Sequence, residues 1–175
     1  VNEMVMISNR PLEIEDRAVF GHREGDLMVR PGSASAIVTL LERATSYILL
    51  GYLSGGYAAE EVRDVLTVLI GTLPTPLRGS PTYGQGCEMA AHKQFSTATG
   101  VPGLFCGPHS PWRRGSNENT NGLMRRYFPK APACDPTVYG HADLEHVAQE
   151  PSGRPRKTLG RETPAERLRD LLMTN

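Results

Sequence analysis

At 175 residues, with 39% apolar and 22% charged side chains, the chain has the size and composition of one globular domain with its own core. Its net charge is +0, so affinity for a polyanion would have to come from local patches and not from the field of the whole molecule. No apolar run reaches the length of a membrane span, and VNEMVMISNRP lacks the basic start and apolar stretch of a signal peptide. A polar leader is expected to end near Gly21. Gly25–Val29 then reads as a strand stopped by Pro31-Gly32. Residues 34–42 and 46–53 are two more strand-like runs, and the short links between the three imply an antiparallel meander. Over 58–72, Val62, Leu66, Leu69 and Ile70 fall at helical spacing, so this segment predicts an amphipathic helix ending at Gly71 and Pro74. A short extended segment at 81–84, a helix over 87–98 and a small strand over 101–106 follow. A helix from Ser116 through Tyr127, one near 142–149, and one at 164–173 with Thr163 as N-cap complete the series. This order predicts an α/β fold with one mixed five-stranded sheet flanked by helices.

The densest chemistry lies in residues 108–130, PHSPWRRGSNENTNGLMRRYFPK. On its helix Glu118, Asn121, Gly122 and Arg125 fall at i, i+3, i+4 and i+7 and share one face. A buried core would make that stripe apolar. A polar stripe with one carboxylate and a glycine suits a metal ligand set beside groups that hold a phosphate backbone. Arg113, Arg114, Arg126 and Lys130 are singly ordinary solvated charges, yet together they make a candidate DNA patch with Asn121 and Arg125; Arg154, Arg156 and Lys157 make a second. Residues 109–161 hold nine Lys/Arg against five Asp/Glu, while residues 1–30 hold four against six. Trp112 reads as a packing residue and His109 as a brace for its loop. Cys87, Cys106 and Cys134 are odd in number and form no CxxC pair, which argues against a disulfide framework and for the cytoplasm. With the five histidines they form no compact zinc set.

Four segments carry a resemblance: GHREGDL at 21–27, YGQGCEM at 83–89, the 108–130 block, and GRPRKTLGRETPAE at 153–166. Together they resemble the catalytic core of bacterial insertion-sequence transposases of the insertion-sequence thirty family, within the integrase-core superfamily. The resemblance implies a ribonuclease-H-like fold with two aspartates and a glutamate that bind two divalent ions, Mg2+ or Mn2+. Such a pair activates the attacking oxygen and stabilises the leaving one. Asp26 and Glu118 match two of the three positions. The third, an aspartate within Trp-Asp-Gln-Gly in the family, is Gly84 here, in Tyr83-Gly84-Gln85-Gly86; 33 residues separate it from Glu118, the family's spacing. Arg23 stands where the family has Trp, Gly107 where it has Asp, and Ser152-Gly153 where it has Asn-Asn. Glu88, one turn past Gly84, is a poor substitute because site geometry tolerates little displacement.

The resemblance thus implies a transposase core over 21–150 for DNA cleavage and strand transfer, impaired at Gly84. Residues 1–20 are read as a leader, a remnant of the linker to an N-terminal DNA-binding region, and 151–175 as a basic link with a closing helix. Double-stranded DNA (element ends and target) and a second copy of the chain are the implied partners, with no membrane. A catalytically silent DNA-binding or oligomerising remnant and a generic ribonuclease-H-type nuclease are the alternatives.

Overall fold

The computed structural model describes residues 5–6, 19–29, 35–84, 86, 89–106, 115–128 and 140–174, and only the backbone of 115–118 and 141. Six strands form one mixed sheet: β1 (Val5–Met6), β2 (Arg23–Val29), β3 (Ala36–Glu42), β4 (Ile48–Leu53), β5 (Pro81–Tyr83) and β6 (Leu104–Phe105). Their order is β1-β6-β5-β2-β3-β4. β2, β3 and β4 form the expected antiparallel meander, whereas β5 and β6 join β2 in parallel. The sequence predicted five strands. The sixth is β1, two residues of the supposed leader that pair in parallel with β6. Two residues are too short for hydrophobic alternation to register, so only the pairing reveals it.

Among the described residues five α-helices accompany the sheet: α1 (Ala59–Gly71), α2 (His92–Thr99), α3 (Gly115–Met124), α4 (His141–Ser152) and α5 (Pro164–Thr174). α2 begins five residues later than the sequence suggests, and β6 is shorter, since Pro102 lacks the N–H that a ladder needs. α4 runs past the expected end near 149 and contains Pro151 in its last turn. At α5 the Thr163 amide donates to Glu166 Oε2 (2.9 Å) and the Glu166 amide to Thr163 Oγ1 (3.1 Å). This reciprocal capping box starts the helix where the sequence placed its cap. Hydrogen bonding of the carboxylate to Thr163, its backbone amide first and its hydroxyl second, holds Glu166 below the usual range.

β3 is buried along its whole length and separates two cores. Ala36, Val38 and Leu40 point to one side, where Val62, Leu66 and Ile70 of α1 and Phe95 of α2 cover them. Ile37 and Leu41 point to the other, against Met124 of α3 and Leu144 and Ala148 of α4. α1 lies so close to β4 that a β carbon at Gly51 would stand 2.3 Å from Val65 Cγ1. This alternation fixes which strand residues meet α3, and therefore what the polar stripe of that helix can touch.

Candidate active site and nucleic-acid interface

Asp26 lies in the middle of β2, paired across the antiparallel ladder with Thr39. Directly opposed residues share a face, so Asp26 points with Thr39 toward α3. There Asn121 meets both. Its Nδ2 donates to Asp26 Oδ2 at 2.8 Å, and its Oδ1 accepts from Thr39 Oγ1 at 3.1 Å. The same hydroxyl lies 3.3 Å from the Asp26 carbonyl oxygen. One turn on, Arg125 Nη2 donates to the Val29 carbonyl at 3.3 Å. Both contacts dock α3 on β2 through the stripe that the sequence singled out. Glu118 belongs to the same helix, three positions before Asn121; its side chain lies outside the described residues.

Gly84 follows from register and parity. Arg23 pairs with Pro81 and Glu24 with Thr82, 58 positions apart in each case. The ladder ends there and Gly84 lies one residue past β5; the same offset carried two residues on would bring it level with Asp26. Tyr83 packs on the opposite face, since a β carbon at Gly25 would meet its ring at 2.3 Å. If the extended alternation continues past Tyr83, position 84 takes the face of Asp26. A water-sized cavity of about 20 Å3 touches both Asp26 and Gly84, but its Val62, Leu66 and Tyr83 walls belong to the apolar core under α1. It is not where the carboxylate acts.

The donor set can be tested against a divalent cation directly. A carboxylate oxygen is the right kind of ligand for a hard cation, and Asp26 presents one in a polar setting. Position 84 supplies no side-chain oxygen, and among the described residues no three His, Cys, Asp or Glu side chains gather in a metal-sized group. Among the described residues the carboxylate of Asp26 fits a cation in chemistry, and the Glu118 side chain lies outside them. Glu88 lies outside the described residues.

Two departures from the resemblance sit in the interior. Arg23, in place of Trp, is 2% exposed. Its Nη1 donates to the Gly21 and Leu77 carbonyls. Burial pushes its guanidinium down to about 10, against the opposing pull of Glu42 and Tyr83. Glu42 is held by the Gly21 amide (3.0 Å) and by the Thr45 amide and hydroxyl (both 2.6 Å). Glu24 lies 3.3 Å from Arg43 Nε, an ion pair by distance rather than an aligned hydrogen bond. These charges brace the end of β2 remote from Asp26 and are structural. The second departure is Tyr83, whose hydroxyl is buried with no hydrogen-bond partner among the described residues. Burial pushes its phenol up.

The expected DNA-facing residues divide three ways. Asn121 and Arg125 are engaged with β2, as above. Arg126 and Lys157 are exposed, and Arg156 is half-buried with Nε and Nη2 unpartnered among the described residues. Arg154 Nη2 bonds the Tyr127 hydroxyl (3.3 Å) and pairs with Glu150 (3.4 Å). That contact brings the basic link against the end of the α3 segment, so the two basic patches of the sequence adjoin. Arg113, Arg114 and Lys130, with His109 and Trp112, lie outside the described residues. Thr39 is the site residue that the sequence reading missed. A lone hydroxyl in the apolar run AIVTLLE, opposite Asp26, was the available signal.

Comparison with known proteins supplies the family. The chain is 44% identical over 172 residues, 98% of its length, to the transposase for insertion sequence element IS1086 of Cupriavidus metallidurans. It is 43% identical over 160 residues, 91% of its length, to the transposase InsI for insertion sequence element IS30A of Escherichia coli. The chain belongs to the IS30-type insertion-sequence transposases. A more distant relative, the transposase for insertion sequence element IS4351 of Bacteroides fragilis, is 32% identical over 173 residues, 98% of this chain. These matches cover 50%, 41% and 51% of the respective relatives, so this IS30-type chain spans about half the length of the proteins it matches. No family model matches. Among the described residues no helix is long and apolar enough to cross a membrane.

Proposed function

We propose that this chain is the catalytic core of a transposase that cuts and joins DNA at element ends, with a ribonuclease-H-like sheet and an active site weakened at Gly84. The observation that carries the reading is the docking of α3 on β2 at Asp26, with Asn121 bonded to Asp26 at 2.8 Å; the β2–β5 register supports Gly84 as the neighbouring position. The strand order β6-β5-β2-β3-β4, with an antiparallel meander beside parallel strands, supports the fold assignment. Asp26 and Glu118 would hold Mg2+ or Mn2+, which supplies charge stabilisation to the attacking and leaving oxygens of a phosphodiester. Asp26 contributes a carboxylate that Asn121 engages, and Glu118 is carried by α3, the helix docked on the same strand. The exposed Arg126 and Lys157, with Arg154 beside Tyr127, give the duplex a basic surface to lie on. Gly84 removes one of three acidic ligands, so the unmodified chain is expected to lose several orders of magnitude in rate.

Strand transfer with Mg2+ or Mn2+, run on the chain and on Gly84→Asp, tests this reading. Activity confined to Gly84→Asp supports it. Robust turnover by the unmodified chain sinks the claim that Gly84 is disabling, and inactivity of both, with salt-dependent duplex binding retained, favours a silent DNA-binding remnant.

A further inference from the structure

We propose that Thr39 and Asn121 are positioning residues that orient the Asp26 carboxylate toward a divalent cation and set the backbone of α3 against β2. The inference rests on the metal-dependent reading above and adds to it two residues with no ligating role. Its first support is the direction of the hydrogen bonds. The Asp26 carboxylate can only accept, so the Asn121 amide must present Nδ2 to Asp26 Oδ2 at 2.8 Å, and its Oδ1 is thereby turned to Thr39 Oγ1, which donates at 3.1 Å. A carboxylate oxygen that accepts from an amide is fixed in rotation, and its partner oxygen is presented in a defined direction.

The second support is placement. Thr39 is fully buried and sits opposite Asp26 in the β2–β3 register, so the hydroxyl is anchored by the central strands rather than by a loop. Burying a hydroxyl in a sheet costs free energy unless it is bonded, and here its one proton has two acceptors in reach, the Asn121 amide oxygen at 3.1 Å and the Asp26 backbone carbonyl at 3.3 Å. The third support is reach along the helix. Asn121 and Arg125 are the two polar residues of the stripe seen to bond β2. Glu118 stands one turn before Asn121, so the separation of Asp26 and Glu118 is set where Asn121 touches the strand. Groups that orient metal ligands in this way typically contribute 10–100-fold to metal affinity.

The test exploits the shape of threonine. Thr39→Val keeps the volume and removes the hydroxyl; Thr39→Ser keeps the hydroxyl and removes the methyl. Mn2+ affinity, measured by titration on the full chain and in the Gly84→Asp background, is expected to fall about 10-fold or more in Thr39→Val and in Asn121→Ala, and to stay within about threefold in Thr39→Ser. A merely structural residue would give the reverse order, with Val tolerated and Ser harmful in a packed interior. Equal Mn2+ affinity in Thr39→Val and the parent overturns the inference while leaving the metal site intact. No Mn2+ binding by either the parent or Gly84→Asp overturns the metal-dependent reading, and this inference with it.

Discussion

Gly84→Asp is also a test of the fold that needs no turnover. Neighbouring strands lie about 4.8 Å apart, and same-face β carbons on them are about 5 Å apart. An aspartate at 84 would thus set a second negative charge about 5 Å from Asp26, on the face shared with Asn121. At an effective dielectric of about 20 the repulsion is about 3 kcal/mol before salt screening. Glycine and aspartate are both poor strand residues, so their backbone preferences nearly cancel. In chelator, Gly84→Asp is therefore expected to unfold with about 1–3 kcal/mol less stability than the parent. A divalent cation at about 100 times its dissociation constant would return about 2.7 kcal/mol to the variant, and less than about 1 kcal/mol to a parent with fewer ligands. Urea unfolding of both chains, in EDTA and in Mg2+ or Mn2+, reads all four values. If Gly84→Asp matched the parent in chelator and ignored the cation, position 84 would not face Asp26, and the register placing it there would be refuted.

Tyr83→Phe removes a buried hydroxyl without a partner among the described residues, and should be neutral to about 1 kcal/mol stabilising at neutral pH. Because burial raises the Tyr83 phenol above its ordinary value of 10.0, the unfolded chain ionises first; stability is full below pH 10 and is lost above it. Relative to the parent, Tyr83→Phe should gain about 1.4 kcal/mol per pH unit above pH 10 in denaturant titrations. Arg23, lowered to about 10, gives the opposite slope in both chains and loses only the smaller pull of Tyr83 in the variant; equal slopes for the two chains would show that the phenol is not buried. Gly51→Ala would bring a β carbon to 2.3 Å from Val65 Cγ1 and 3.0 Å from Leu69 Cδ1. Lifting α1 from β4 should cost about 1–3 kcal/mol, visible as a lower melting temperature, and a neutral result would contradict the packing. Lys157→Ala should weaken binding to all duplex sequences alike and lower the salt slope of log affinity by about 1; a sequence-dependent loss would mean base contact instead.

The sequence by itself determined the helices and most strands, because their periodicities are local. Val62, Leu66 and Ile70 repeat at helical spacing, and the Thr163…Glu166 capping box lies within four residues. It also singled out Asp26, Gly84 and Glu118, since the spacing between motifs survives the substitution at Gly84. The tertiary structure decided what those residues touch. The pairing of Val5–Met6 with Leu104–Phe105 spans about a hundred residues and leaves no local trace. Arg23 and Glu42 look like surface charges in the sequence; only the folded chain shows them buried and bonded to backbone. Asn121 looked like a DNA contact on an open helix face, but its amide is engaged by Asp26 and Thr39. Helical spacing identifies which residues share a face. Which strand that face meets depends on register and on the parity of side chains across the sheet, and both arise only when distant segments pack together.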